Sequence, residues 1–131
     1  CFLNRSEDSD PNARDKTLRQ EGRKVFKEVV PIAAAHIEGH LSDLGHAPSA
    51  VRRYWLHQAN QGMNQLVIKK LAGDASADLA PLILDEFANT ASAGSIIAFH
   101  KHRADLAAGD VGVICSFGAG YSVGSVVLRK R

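Results

Sequence analysis

The stretch from Val111 to Phe117 constrains this chain more than any other. It is almost wholly apolar, with Gly109-Asp110 before it and Gly118-Ala119-Gly120 after it. A run of that length and composition between turn signals is what a strand buried on both faces requires. A sheet of that kind needs helices on both sides, and the rest of the sequence offers them. From about Leu18 the apolar residues Val25, Phe26, Val29, Val30, Ala33, Ile37, Leu41 and Leu44 recur at threes and fours. This period predicts one helix, or two divided near Val30 by Pro31, closed by the segment from Gly45 to Pro48.

The remaining elements alternate. Arg53 to Leu56 reads as a buried strand whose C-terminal end delivers His57. Met63, Leu66, Val67 and Leu71 then form the apolar stripe of a second helix, with Lys69 and Lys70 toward its solvent side and Gly73 as its stop. Leu79 to Leu84, which contains Pro81, is the next expected strand. Asn89-Thr90 is expected to open a third helix running to about Ala107, with the small residues Ala91 to Ser95 in its first turns allowing a close approach. Tyr121 to Leu128 forms the last strand. Alternating helices and strands predict an α/β fold with a mixed, largely buried sheet.

At 131 residues, with 45% hydrophobic and 23% charged residues, the chain fits a single globular domain able to bury a core without disulfides or a structural metal. Residues 1–17 are polar and dense in charge, and are expected to be an arm or loop ahead of a domain spanning 18–131. Sixteen Lys and Arg against 14 Asp and Glu give a net charge of +2, which argues against a nucleic-acid binder. No apolar run approaches the ~20 residues that cross a bilayer. The N-terminus also lacks the layout of a signal peptide, so the expectation is a cytoplasmic protein with no membrane partner. Cys1 lies in a polar terminus and Cys115 in the apolar run, a poor basis for a disulfide. The chain opens on Cys1 rather than Met, and is expected to be part of a longer one.

Three features fall where α/β proteins place their sites, beyond the carboxyl ends of strands. They are His57, Asn89 and the turn from Gly118 to Gly120. A neutral imidazole and a side-chain amide can each donate a hydrogen bond to a developing oxyanion, and a glycine-flanked turn offers backbone N–H groups for the same purpose. Taken singly, each has an ordinary structural explanation: a buried histidine, a helix cap, a tight turn. His36 and His40 are four apart on the first helix, but no third ligand accompanies them, so no metal site is expected. His100 and His102, two apart, point to different faces of a helix.

As an ordered set, His57-Gln58-Ala59-Asn60, Asn89-Thr90-Ala91-Ser92, Phe117-Gly118-Ala119-Gly120-Tyr121 and Gly124-Ser125 resemble the C-terminal half of β-ketoacyl-acyl carrier protein synthase III. Glu21 to Lys27 is similar to the segment that opens a long helix in that family, so the resemblance covers about residues 20 to 131. It implies a thiolase-like fold, of which this chain is most of the second half. It also implies a decarboxylative Claisen condensation of an acyl thioester primer with malonyl-acyl carrier protein in fatty acid biosynthesis. By the same resemblance, His57 and Asn89 are the pair that stabilises the enolate oxygen, and Ala119 supplies a backbone oxyanion donor. Phe26, Val29, Asn60 and Met63 line the tunnel for the pantetheine arm, and Lys69 and Lys70 contribute to docking of the acidic carrier protein.

The nucleophilic Cys is implied to lie in the N-terminal half, and no resident cofactor is implied beyond the substrates acyl-CoA and malonyl-acyl carrier protein. The partners so implied are the acyl carrier protein, the N-terminal half and a second copy in a homodimer. The chain departs from the family pattern in three places. Gln61-Gly62 stands where many members carry a basic residue, Ala119 replaces the middle glycine of a triplet, and nothing here resembles the nucleophile region. Two other readings remain open at this point: a noncatalytic thiolase-like domain that binds an acyl thioester or a protein, and a polyketide-synthase-type relative.

Overall fold

The computed structural model describes residues 21–74 and 77–131. The expected arm over residues 1–17 and the helix onset at Leu18 lie outside the described residues. Helix α1, Gly22–Asp43, is one continuous element of 22 residues. Pro31 does not divide it. The missing donor would have bonded the Lys27 carbonyl, and both residues lie on the exposed side, where water can satisfy that oxygen. The opposite side buries Val25, Val29, Val30, Ala33, Ala34, Ile37 and Leu41. Gly45, with φ 73°, closes the helix: its N–H bonds the Ser42 carbonyl while the His46 N–H reaches the Leu41 carbonyl. That is the Schellman pattern, in which a left-handed glycine satisfies the last carbonyls.

Strand β1, Val51–Leu56, pairs in parallel with β2, Val111–Gly118, which pairs antiparallel with β3, Ser122–Arg129. The apolar run is thus the central strand of a mixed three-stranded sheet. A register shift between Val51 and Arg53 lets both Val51 and Tyr54 face the same core, which strict alternation would forbid. On one face α1 and α2, Gln61–Ala72, pack over Tyr54, Leu56, Val113 and Cys115. On the other, α4, Ala93–Lys101, packs over Trp55 with Ile83, Ala98 and Leu106. Helices on both faces of a mixed sheet make the α/β layering expected from the sequence.

Two expectations need correction. Leu79 to Leu84 is not a strand. A single 3₁₀ turn at Ala77–Leu79 leads through irregular backbone to a four-residue helix, α3, Leu84–Phe87. Pro81 has no N–H to give a ladder, and the neighbouring groups bond a side chain instead. The Ile83 N–H donates to Gln58 Oε1 at 3.1 Å, and the Pro81 carbonyl accepts from Gln58 Nε2 at 3.4 Å. Asn89 therefore follows a short helix rather than a strand.

The third long helix is also shorter than the expected span from Asn89 to Ala107. It starts at Ala93 because Ala88 and Ala91 both have φ 53°, a left-handed conformation that no right-handed helix contains. It stops at Lys101, and the chain beyond it is drawn toward the sheet. Asp105 forms ion pairs with Arg52 and Arg53, and Asp110 accepts a hydrogen bond from the Ala107 N–H.

Candidate functional site at the carboxyl end of the sheet

The parallel register aligns Leu56 with Cys115, so β1 and β2 end at the same edge of the sheet. His57 emerges there, 8% exposed, with its ring against Phe117 at 4.3 Å between centroids and 36° between planes. Burial lowers its pKa below the ordinary histidine value, because desolvation penalises the imidazolium. Its Nδ1 is buried and without a hydrogen-bond partner.

Asn89 comes to the same place from the other side. It is exposed, and its Oδ1 accepts the Ala91 N–H at 3.0 Å, which turns the chain toward α4. With the oxygen committed to the backbone, the amide N–H₂ is the group left to donate. Ala119 sits at the tip of the β2–β3 hairpin, where its carbonyl accepts from Ser122 Oγ at 3.2 Å. His57, Asn89 and Ala119 line one cleft of about 360 Å³, together with Val29, Phe117 and Tyr121. None of the described residues lining it is a carboxylate. The Tyr121 phenol is held above its usual pKa, first by a hydrogen bond to Glu28 and then by burial. A pocket that sets neutral donors over an apolar floor can stabilise negative charge on a small oxygen without holding a cation.

Residues 41–130 match the family described as 3-oxoacyl-[acyl-carrier-protein (ACP)] synthase III C terminal. The chain belongs to this family. Over 131 residues it is 57% identical to the beta-ketodecanoyl-[acyl-carrier-protein] synthase of Pseudomonas aeruginosa, covering 99% of this chain and 37% of that protein. It is 33% identical over 119 residues to the beta-ketoacyl-[acyl-carrier-protein] synthase III of Gloeobacter violaceus, covering 89% of this chain and 36% of that one. The crystal structure of 3-oxoacyl-(acyl carrier protein) synthase III from Pseudomonas aeruginosa superposes with a TM-score of 0.80 at 28% identity, over 90% of this chain and 37% of that one. The chain thus spans little more than a third of the curated relatives it matches, and the fold expected from the resemblance is the observed one.

The other expected site residues of this synthase III domain are spread more widely. Val29 is a wall of the cleft, 1% exposed. Phe26 lies against the start of α2, its ring 3.7 Å from where a side chain on Gly62 would begin. Met63 is in the core between the helices and the sheet. Asn60 is exposed and caps α2, its Oδ1 accepting the Met63 N–H at 2.9 Å. Lys69 and Lys70 are exposed in the last turn of α2, and Lys69 pairs with Asp74 at 3.1 Å.

Burial pushes the Cys115 thiol up to about 12, so it is no nucleophile at neutral pH. His36 and His40 both hydrogen-bond Ser125 Oγ, at 3.0 and 2.7 Å, and so tie α1 to β3. Among the described residues no group of three or more His, Cys, Asp or Glu side chains could hold a metal ion, and no helix is long and apolar enough to cross a membrane.

Two residues at the site carried no role in the sequence reading. Phe117 precedes the glycine turn, and its place beside His57 follows from the parallel ladder, which only the structure reveals. Gln58 is fully buried and bonds three backbone groups. Its signal was the position itself: a polar side chain two residues past a buried strand must find partners or cost stability.

Proposed function

We propose that this chain is the part of a condensing enzyme that stabilises the enolate in a decarboxylative Claisen condensation. The observation that carries the reading is the convergence of His57, Asn89 and Ala119 on one carboxylate-free cleft. In the first step the bond between the malonyl methylene and its carboxylate breaks, carbon dioxide leaves, and the electron pair moves onto the thioester as an enolate. Negative charge grows on the thioester oxygen. The His57 ring and the Asn89 amide donate to that oxygen.

The neutrality of His57 matters here. An imidazolium would pair with the substrate carboxylate and hold the ground state, whereas a neutral donor strengthens only as the enolate forms. Its buried Nδ1 has no hydrogen-bond partner, so the tautomer with the proton on Nε2 is the less costly one. The enolate carbon then attacks an acyl group held as a thioester on a Cys of the upstream part of the enzyme. The tetrahedral oxyanion takes a hydrogen bond from the Ala119 N–H before the thiolate leaves.

The donor is a malonyl group on an acyl carrier protein, and the exposed Lys69 and Lys70 contribute to docking that acidic partner in the cytoplasm. The relative that shares 57% of its residues is named for a ketodecanoyl product, which supports a medium-chain primer for this chain as well. Since condensation with malonyl adds two carbons, a ten-carbon product calls for an eight-carbon primer.

The test is malonyl-thioester decarboxylation by the complete enzyme and by its His57→Ala and Asn89→Ala variants. Each variant is expected to lose roughly 10²- to 10³-fold in rate, the usual cost of removing one oxyanion donor, while primer acylation persists. Variants that match the parent, or a complete enzyme that decarboxylates nothing, would put a noncatalytic thioester-binding domain in its place.

A further inference from the structure

We propose that Gln58 is the positioning residue that sets Asn89 against His57; this rests on the proposed enolate-stabilising role of the pair. Gln58 touches neither the cleft nor solvent, being 0% exposed. Its side chain spans the gap between the end of β1 and the segment that carries Asn89. Nε2 donates to the Leu56 carbonyl at 2.9 Å and, more weakly, to the Pro81 carbonyl at 3.4 Å. Oε1 accepts the Ile83 N–H at 3.1 Å. A buried amide with both ends bonded to backbone is rigid, since each lost bond would leave an unpaired polar group away from water.

The far end of the same segment also rests on Gln58. A side chain on Gly94 would begin 2.8 Å from Gln58 Cβ, 3.0 Å from its Cγ and 3.3 Å from Thr90 Oγ1. Gly94 can therefore be nothing larger without displacing the glutamine. Pro81 and Ile83 are held by hydrogen bonds and Gly94 by close packing, all against one side chain. Between these two holds lie α3 and Asn89. The peptide bond from His57 to Gln58 makes the link to the other donor direct. No strand ladder sets the distance between the two donors; this amide does.

The experiment uses the complete enzyme with Gln58→Met, which keeps the volume and removes all three hydrogen bonds, and Gly94→Ala, which keeps the glutamine but pushes its side chain off its backbone partners. Gly94→Ala carries the test if Gln58→Met does not fold. Amide hydrogen exchange is read at Ile83 and at Ala91, whose N–H holds Asn89, with Val113 in the central strand as control. The expected result is exchange at least tenfold faster at both sites and unchanged at Val113. Alongside it, kcat for malonyl-thioester decarboxylation falls at least tenfold, with KM and the rate of primer acylation within twofold of the parent.

Unchanged exchange at Ile83 and Ala91 would overturn the proposal. A parallel fall in decarboxylation and acylation would overturn it too, since that pattern marks general damage to the fold. If the parent itself decarboxylates nothing, the functional reading fails, while the exchange measurement still decides whether Gln58 holds the segment.

Discussion

His57 leaves a strand that is hydrogen-bonded to the central strand and covered by helices on both faces. Asn89 hangs on a run of chain, residues 80–92, that forms no strand and only one four-residue helix. Both residues reach the same cleft, yet the means differ. The first is placed by a periodic ladder and by apolar packing around Tyr54, Trp55 and Leu56, each 3% exposed or less. The second is placed by particular contacts: the Gln58 amide, the close approach at Gly94, and two alanines in left-handed backbone on either side of it. A cleft built from the two parts has one residue placed rigidly and one whose position depends on a few side chains.

The largest expected effect lies on the ladder side. A side chain on Gly112 would begin 2.4 Å from the Trp55 ring, which is wedged edge-on against Phe99 and cannot give way. Gly112→Ala should therefore cost about 3 kcal/mol, the upper end for overpacking a core, read as a lower melting temperature of the complete enzyme. A loss under about 1 kcal/mol would show that the sheet yields as easily as the segment, and would remove the contrast.

On the segment side the expected change has the opposite sign. Ala88 has φ 53° and ψ −156°, a combination that L residues rarely adopt and that costs on the order of 1–3 kcal/mol. Ala88→Gly removes that strain while adding some backbone freedom to the unfolded chain, so a net gain of about 1 kcal/mol is expected in the same melting experiment. The strain is held in place by what flanks it, the Gln58 hydrogen bonds to Pro81 and Ile83 before it and the Asn89–Ala91 hydrogen bond after it. A variant that melts lower than the parent would mean that Ala88 sits in an unstrained backbone, and that the segment is not under tension.

The difference between the two parts also explains what the sequence disclosed. Strands β1, β2 and β3 and helices α1 and α2 follow from apolar runs and periods, because each is stabilised by burying one face or two. That His57, Asn89 and the turn from Gly118 to Gly120 gather at one cleft was legible from their places between elements, although a short helix stands where a strand was expected ahead of Asn89. The segment from Leu79 to Asn89 was not legible, because two of its backbone groups bond a side chain 23 and 25 residues away rather than a ladder, and no local pattern encodes that. Its apolar residues, among them Leu79, Leu82 and Ile83, suggested a strand, while Pro81 already argued against one. Ala88 and Ala91 gave no warning either, since alanine is a strong helix former found here where helix is impossible.

The smallest expected effect is on titration, and it separates the two parts without disturbing either. Burial alone lowers the His57 pKa, so the imidazole should titrate below 6.5 when followed by NMR in the complete enzyme. The sign for stability follows. The unfolded chain takes up its proton near pH 6.5 and the folded one only at lower pH, so the contribution of neutral His57 is whole above that value and is lost as the pH falls below it. Phe117→Ala uncovers one face of the ring and should move the midpoint back up toward 6.5, because the desolvation that lowers it comes from β2 and its neighbours. Asn89→Ala should leave the midpoint where it is, since an exposed amide on the segment does little to keep water from the ring. If the asparagine variant moved it as far as the phenylalanine one, the segment would be part of the wall that dries His57. The two residues would then be mechanically one unit rather than two.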